Sequence, residues 1–90
     1  MLEKKFKIIN PTGLDARNSS DLVSKCSKYS SDIKLYLGKT AVDSKSIMGV
    51  MSLNVHKGEI IIISVNGIDE IEALEAISFL IQDSKLGKEY

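Results

Sequence analysis

Ile60-Ile61-Ile62-Ile63-Ser64-Val65-Asn66-Gly67-Ile68-Asp69 runs from β-branched residues through a turn to an acidic start of something new. Four consecutive isoleucines predict a strand in the middle of its sheet. Asn66-Gly67 ends it, because both residue types enter turns at little steric cost. Beyond Asp69 the period changes. Ile71, Leu74, Ile77 and Ile81 recur at helical intervals beside Ala73, Ala76 and Leu80, and acidic residues occupy the first turn, where the helix dipole favours them.

The same two periods organise the chain on the N-terminal side. Leu2, Phe6 and Ile8 share one phase and Glu3, Lys5 and Lys7 the other, the pattern of a half-buried strand over residues 2–9. Asn10-Pro11-Thr12-Gly13 is turn chemistry, after which Leu22, Val23, Cys26 and Tyr29 predict a helix near 16–28. Ile33, Leu35 and Leu37 alternate with Lys34 and Tyr36, and Gly38-Lys39 separates them from Thr40-Ala41-Val42-Asp43, so a hairpin is predicted. Ser46 to Leu53 reads as a short helix and Val55 to Gly58 as a loop, while Gly87 to Tyr90 are expected to fray. The resulting order, β-α-β-β-α-β-α, predicts an α+β sandwich with its three helices on one sheet face.

Composition narrows the function classes. Ninety residues suit one core and not a second, so 1–90 is read as a single domain. Twelve Lys plus Arg balance twelve Asp plus Glu, which removes the long-range field that draws proteins to nucleic acid or anionic membrane. No apolar run approaches the ~20 residues of a membrane span, and the charged N-terminus lacks the pattern of a signal peptide. Cys26 alone cannot form an internal disulfide, and with His56 the single histidine, multi-histidine and Cys-paired metal sites are excluded. A reducing cytoplasm is the expected location.

Two segments carry a resemblance. Thr12-Gly13-Leu14-Asp15-Ala16-Arg17 and Ser44-Lys45-Ser46-Ile47-Met48-Gly49-Val50-Met51-Ser52-Leu53 resemble the signature segments of the histidine-containing phosphocarrier family, HPr, of bacterial sugar phosphotransferase systems. The likeness spans the whole chain and includes Lys28-Tyr29, Lys57-Gly58 and Asp69-Glu70. It implies an open-faced sandwich with four antiparallel strands in the order 1-4-2-3, and a protein that is acted on by enzymes rather than being one, with no cofactor or metal. In the family, a histidine between Gly-Leu and Ala-Arg takes phosphate from Enzyme I and passes it to sugar-specific permease components. Here that position is Asp15, and Asn18, Ser19 and Asp21 replace a proline, an alanine and an apolar residue of the family's pattern.

The chemistry at Asp15 therefore differs. Imidazole is a neutral nucleophile near pH 7, whereas a carboxylate is anionic and weakly nucleophilic, and its phosphorylation generally requires electrophilic help. Asp15 has three readings: an N-cap of the helix behind it, a static mimic of a phosphorylated histidine, or an acceptor that forms an acyl phosphate. His56 is expected in a solvated loop, separated from the Asp15 segment, and Cys26 in the core.

Ser46 precedes a short helix, so a phosphate there would meet free backbone N–H groups. The resemblance implies modification of this serine by HPr kinase/phosphorylase and reading of the product by a transcriptional regulator of carbon catabolite control, with Enzyme I as a further candidate partner. Ile47, Met48 and Met51 read either as an exposed adaptable patch or as core. Arg17 stands in a first helical turn, where the dipole disfavours a cation, which points to anion binding beside the plainer reading of a solvated arginine. Lys45 and Asp15 complete the expected phosphate- and partner-binding set. Two functions result: a regulatory protein switched at Ser46, similar to the catabolite-repression HPr homologue, or a carrier on Asp15 or a paralogue that has lost transfer.

Overall fold

A computed structural model covering Met1–Tyr90 places the elements in the order β1 (Leu2–Ile8), α1 (Ala16–Cys26), β2 (Asp32–Leu37), β3 (Thr40–Asp43), α2 (Ile47–Ser52), β4 (Ile60–Asn66), α3 (Glu70–Asp83) and β5 (Gly87–Glu89). All strand pairs are antiparallel, and the sheet order is β3-β2-β4-β1-β5. The expected four-stranded sheet of order 1-4-2-3 is thus corrected to five strands. Those four keep their neighbours, and β5 is added outside β1.

The residues expected to fray form that fifth strand. Lys85 takes a positive φ of 60° and reverses the chain after α3, and Leu86 is buried as an anchor. The Leu86 carbonyl accepts from the N–H groups of Ile9 and Asn10 at 2.9 and 3.1 Å, and the Tyr90 N–H donates to the Lys5 carbonyl at 2.9 Å. Gly-Lys-Glu has little strand propensity of its own. Pairing to the β1 edge holds it instead.

Alternation along the central strands makes the sandwich open-faced. Phe6, Ile8, Ile33, Leu35, Ile61, Ile63 and Val65 are fully buried on the helix side, while Lys5, Lys7, Lys34 and Tyr36 face away. β4 lies between β2 and β1 as its isoleucines predict, but Ile60 and Ile62 are only half-buried on the open face. The isoleucine run therefore marks central position rather than burial on both sides. α1 packs against both α2 and α3 and so lies between them. Leu22 and Cys26 enter the core from α1, and Ala73, Leu74, Ile77 and Ile81 from α3.

A clamp ties the two ends of this layer together. Asp69 stands before α3 but does not cap it; its carboxylate accepts the N–H groups of Ser30 and Ser31 at 2.8 and 2.9 Å and the Ser31 hydroxyl. Glu70 reaches back to the Gly67 N–H at 3.0 Å and pairs with the N-terminal amine at 3.3 Å. Asp69 thus serves the tertiary fold, while Glu70 closes a local turn three residues back. These bonds lower the pKa values of both carboxyls.

Candidate functional site

The loop from Asn10 to Asp15 is built on Gly13, which is buried at a φ of +67°. A Cβ at this position would lie 2.2 Å from the Val55 carbonyl oxygen and 3.0 Å from the His56 Cα, so only glycine fits against the loop that enters β4. The next residue fastens the two loops: the Leu14 N–H donates to the Val55 carbonyl at 3.0 Å. This corrects the expected separation of His56, whose backbone abuts the segment carrying Asp15. Its side chain is exposed and pairs with Glu59, Nδ1 to Oε1 3.4 Å, while the Glu59 carboxylate also accepts the His56 N–H at 2.7 Å.

Asp15 is the N-cap of α1. Oδ1 accepts the Asn18 N–H at 2.9 Å and the Asn18 side-chain amide at 3.1 Å, and Oδ2 accepts the Thr12 hydroxyl at 2.7 Å and the Asn10 amide at 3.5 Å. The backbone N–H of Asn18, followed by the Thr12 hydroxyl, holds this carboxyl below the usual carboxylate range. Both oxygens are engaged, which weakens the carboxylate as a nucleophile and leaves it little acceptor capacity toward another molecule. The Asn18 N–H is essential to this cap, and a proline there has none to give.

Of the three departures from the family's pattern, which the resemblance places on the surface for phosphoryl transfer, Ser19 is instead fully buried, its hydroxyl donating to the Leu14 carbonyl at 3.2 Å. Asn18 is half-buried, and Arg17 and Asp21 are exposed. No hydrogen bond or ion pair within the chain occupies the Arg17 guanidinium. It is a free, permanently charged donor on the first turn of α1.

α2 begins at Ser46, whose hydroxyl oxygen accepts the Gly49 N–H at 3.2 Å in an extended cap geometry. A Cβ on Gly49 would come within 3.4 Å of that oxygen, so glycine there leaves space around the hydroxyl. Ser44 is different. It is fully buried with its hydroxyl unpartnered, whereas Ser46 is half-buried at the surface. Lys45 turns its ammonium to the Tyr29 carbonyl at 2.7 Å, supporting the turn after α1, so it has a task inside the fold.

Ile47, Met48 and Met51 are exposed, Met48 at 81%, while Val50 is buried in the core. With only six residues, α2 buries one side and leaves the rest to solvent. Cys26 is buried, and desolvation pushes its thiol pKa up to about 12, which leaves it unreactive. No three His, Cys, Asp or Glu side chains come together in a way that could hold a metal ion.

Comparison with known proteins gives a consistent result. Residues 2–83 match the family model described as the PTS HPr component phosphorylation site. The histidine-containing phosphocarrier protein of Mycoplasma superposes with a TM-score of 0.93 at 32% identity, covering 96% of this chain and 98% of that one. HPr from Thermoanaerobacter tengcongensis gives 0.89 at 43% identity, with 96% of each chain covered. Crh, the catabolite-repression protein of Bacillus subtilis, gives 0.72 at 36% identity over 92% of this chain and 95% of its own; that protein is described as a domain-swapped dimer.

Proposed function

Since the chain belongs to the HPr family, we propose that it is a regulatory member, switched by phosphorylation at Ser46 and read by protein partners, without phosphoryl transfer through a histidine. It acts in the cytoplasm as a single domain of residues 1–90. The observation that carries this reading is the contrast between two positions. Asp15 has its carboxylate oxygens taken up by Asn18 and Thr12, while the Ser46 hydroxyl stands at a helix start beside exposed Ile47 and Met48.

A phosphate on Ser46 keeps an oxygen acceptor for the Gly49 N–H and adds charge where backbone N–H groups are free. The turn before α2 is held independently of the hydroxyl, by the Lys45 N–H donating to the Asp43 carboxylate at 2.9 Å and the Ser46 N–H to the Asp43 carbonyl at 3.0 Å. The fold therefore changes little, and the new charge is available to a partner. Arg17 is the chain's own candidate for the same phosphate or for a partner's carboxylate, and Ile47, Met48 and Met51 supply the apolar contact. The partners that fit are HPr kinase/phosphorylase and a catabolite-control transcriptional regulator.

HPr kinase with ATP is expected to add one phosphate to the parent chain and none to Ser46→Ala. Labelling of Ser46→Ala to the parent's extent contradicts the proposal. Arg17→Ala is expected to weaken regulator binding more for the phosphorylated chain than for the unmodified one. Equal losses in the two forms remove Arg17 from phosphate reading.

A further inference from the structure

The outer face of α3 has no partner within the chain. Phe79 is 69% exposed and Ile71 63% exposed, and Ile68, just before the helix, is 97% exposed. At 100° per residue Ile71 and Phe79 fall on one stripe with Glu72, Glu75 and Asp83, all exposed. The opposite side of the helix supplies Ala73, Leu74, Ile77 and Ile81 to the core. α3 is thus apolar toward the sheet and partly apolar toward solvent as well.

Charge selects among possible occupants. α3 exposes Glu72, Glu75 and Asp83 and carries no lysine or arginine, although the chain as a whole is neutral; Glu70 is already paired with the N-terminal amine. A second copy packing the same face would set these carboxylates against their counterparts with no cation between them, and an anionic lipid surface would be repelled in the same way. A cationic partner is attracted. Ile71 and Phe79 are eight residues apart, about 12 Å along the axis at ~1.5 Å per residue. That separation matches apolar side chains two turns apart on another helix.

We infer that the outer face of α3 is a docking surface for a cationic amphipathic helix of another protein, with Ile71 and Phe79 as apolar contacts and Glu72, Glu75 and Asp83 facing its lysines or arginines. This surface is separate from the one at Ser46. α1 stands between α2 and α3, and neither Ile71 nor Phe79 belongs to the elements that carry Ser46 and Arg17. Occupancy at α3 is therefore independent of Ser46 phosphorylation, and one chain can hold both partners.

The probe is a fluorescent amphipathic peptide with leucines at helical spacing and lysines flanking them, titrated against the full chain, with a scrambled peptide of equal composition as control. Amide spectra of the labelled protein locate the site. The patterned peptide is expected to shift resonances of residues 68–83 and to bind more tightly than the scrambled one. Ile71→Ser with Phe79→Ser, and separately Glu72→Lys with Glu75→Lys, are each expected to weaken it by about tenfold or more. These residues are exposed, so unchanged thermal unfolding of the variants verifies their fold. Phosphorylation of Ser46 is expected to leave the affinity unchanged. Equal binding of patterned and scrambled peptides, absence of binding, or shifts centred on Ile47 to Met51 overturns the inference. So does a dimer abolished by Ile71→Ser with Phe79→Ser, or equal attachment to neutral lipid vesicles.

Discussion

Asp15 and Asn18 depend on each other, because the carboxylate that caps α1 needs the N–H that residue 18 supplies. Asp15→Ala should lower the midpoint of urea unfolding, since it removes the cap, with Asp15→Asn recovering part of the loss. An unchanged midpoint for Asp15→Ala contradicts the capping role. Acid makes the second test. Hydrogen bonds lower the folded-state pKa of Asp15, Asp69 and Glu70. Groups depressed on folding contribute stability above the ordinary carboxyl range near 4, and that contribution is lost as pH falls through the lowered folded values. Asp69→Asn should therefore be less stable at neutral pH and show a shallower acid decline below about pH 5, measured by thermal unfolding. An acid limb as steep as the parent's contradicts the Asp69 clamp. At this scale the sequence offers the cap as one of three readings of Asp15, and the Asn18 N–H bonded to its carboxylate shows that it caps α1. The partners of Asp69 were not, because Ser30 and Ser31 are 39 and 38 residues away and only the tertiary fold brings them to it.

Elements with strong periodicity were read correctly, and the errors fall where pairing rather than propensity decides. α1 and α3 follow their apolar stripes, and the β2–β3 hairpin follows Gly38-Lys39. β5 has no such signal, since Gly87, Lys88 and Glu89 become a strand only because Leu86 is buried and the β1 edge is open to them. The resemblance puts Ser19, with Asn18 and Asp21, on the surface that carries phosphoryl transfer in the family, yet its hydroxyl finds the Leu14 carbonyl and so can be buried. The loop contact at Gly13 yields a prediction of its own. Gly13→Ala meets both the positive φ and the Val55 carbonyl, so it should cost roughly 2 kcal/mol or more and loosen the loop bearing His56. Unfolding at the parent's denaturant concentration contradicts the close packing of these loops.

For the whole molecule, the open-faced sandwich brings the Asp15 loop and the His56 loop together and leaves α2 and the outer side of α3 to solvent. The sequence carried the family through its Ser44–Leu53 segment, but the nearness of His56 to Gly13 could not be read from residues more than forty positions apart. Restoring a histidine at position 15 tests how far the surface has diverged. Asp15→His should be labelled slowly by Enzyme I, since Asn18 and Asp21 remain on the approach surface. Adding Asn18→Pro and Asp21→Leu should lower KM, whereas Ser19→Ala should affect stability and not docking, because the residue is buried. Labelling of Asp15→His as fast as an ordinary family member, in both kcat and KM, shows that the neighbouring substitutions are neutral.

The most direct measurement presents the unmodified chain to two donors, phosphoenolpyruvate with Enzyme I and ATP with HPr kinase, and locates any added phosphate by mass spectrometry. The regulatory account predicts no stoichiometric label from the first donor and a single acid-stable phosphate on Ser46 from the second. A base-stable, acid-labile label on His56, or a hydroxylamine-sensitive one on Asp15, contradicts it and makes the chain a carrier.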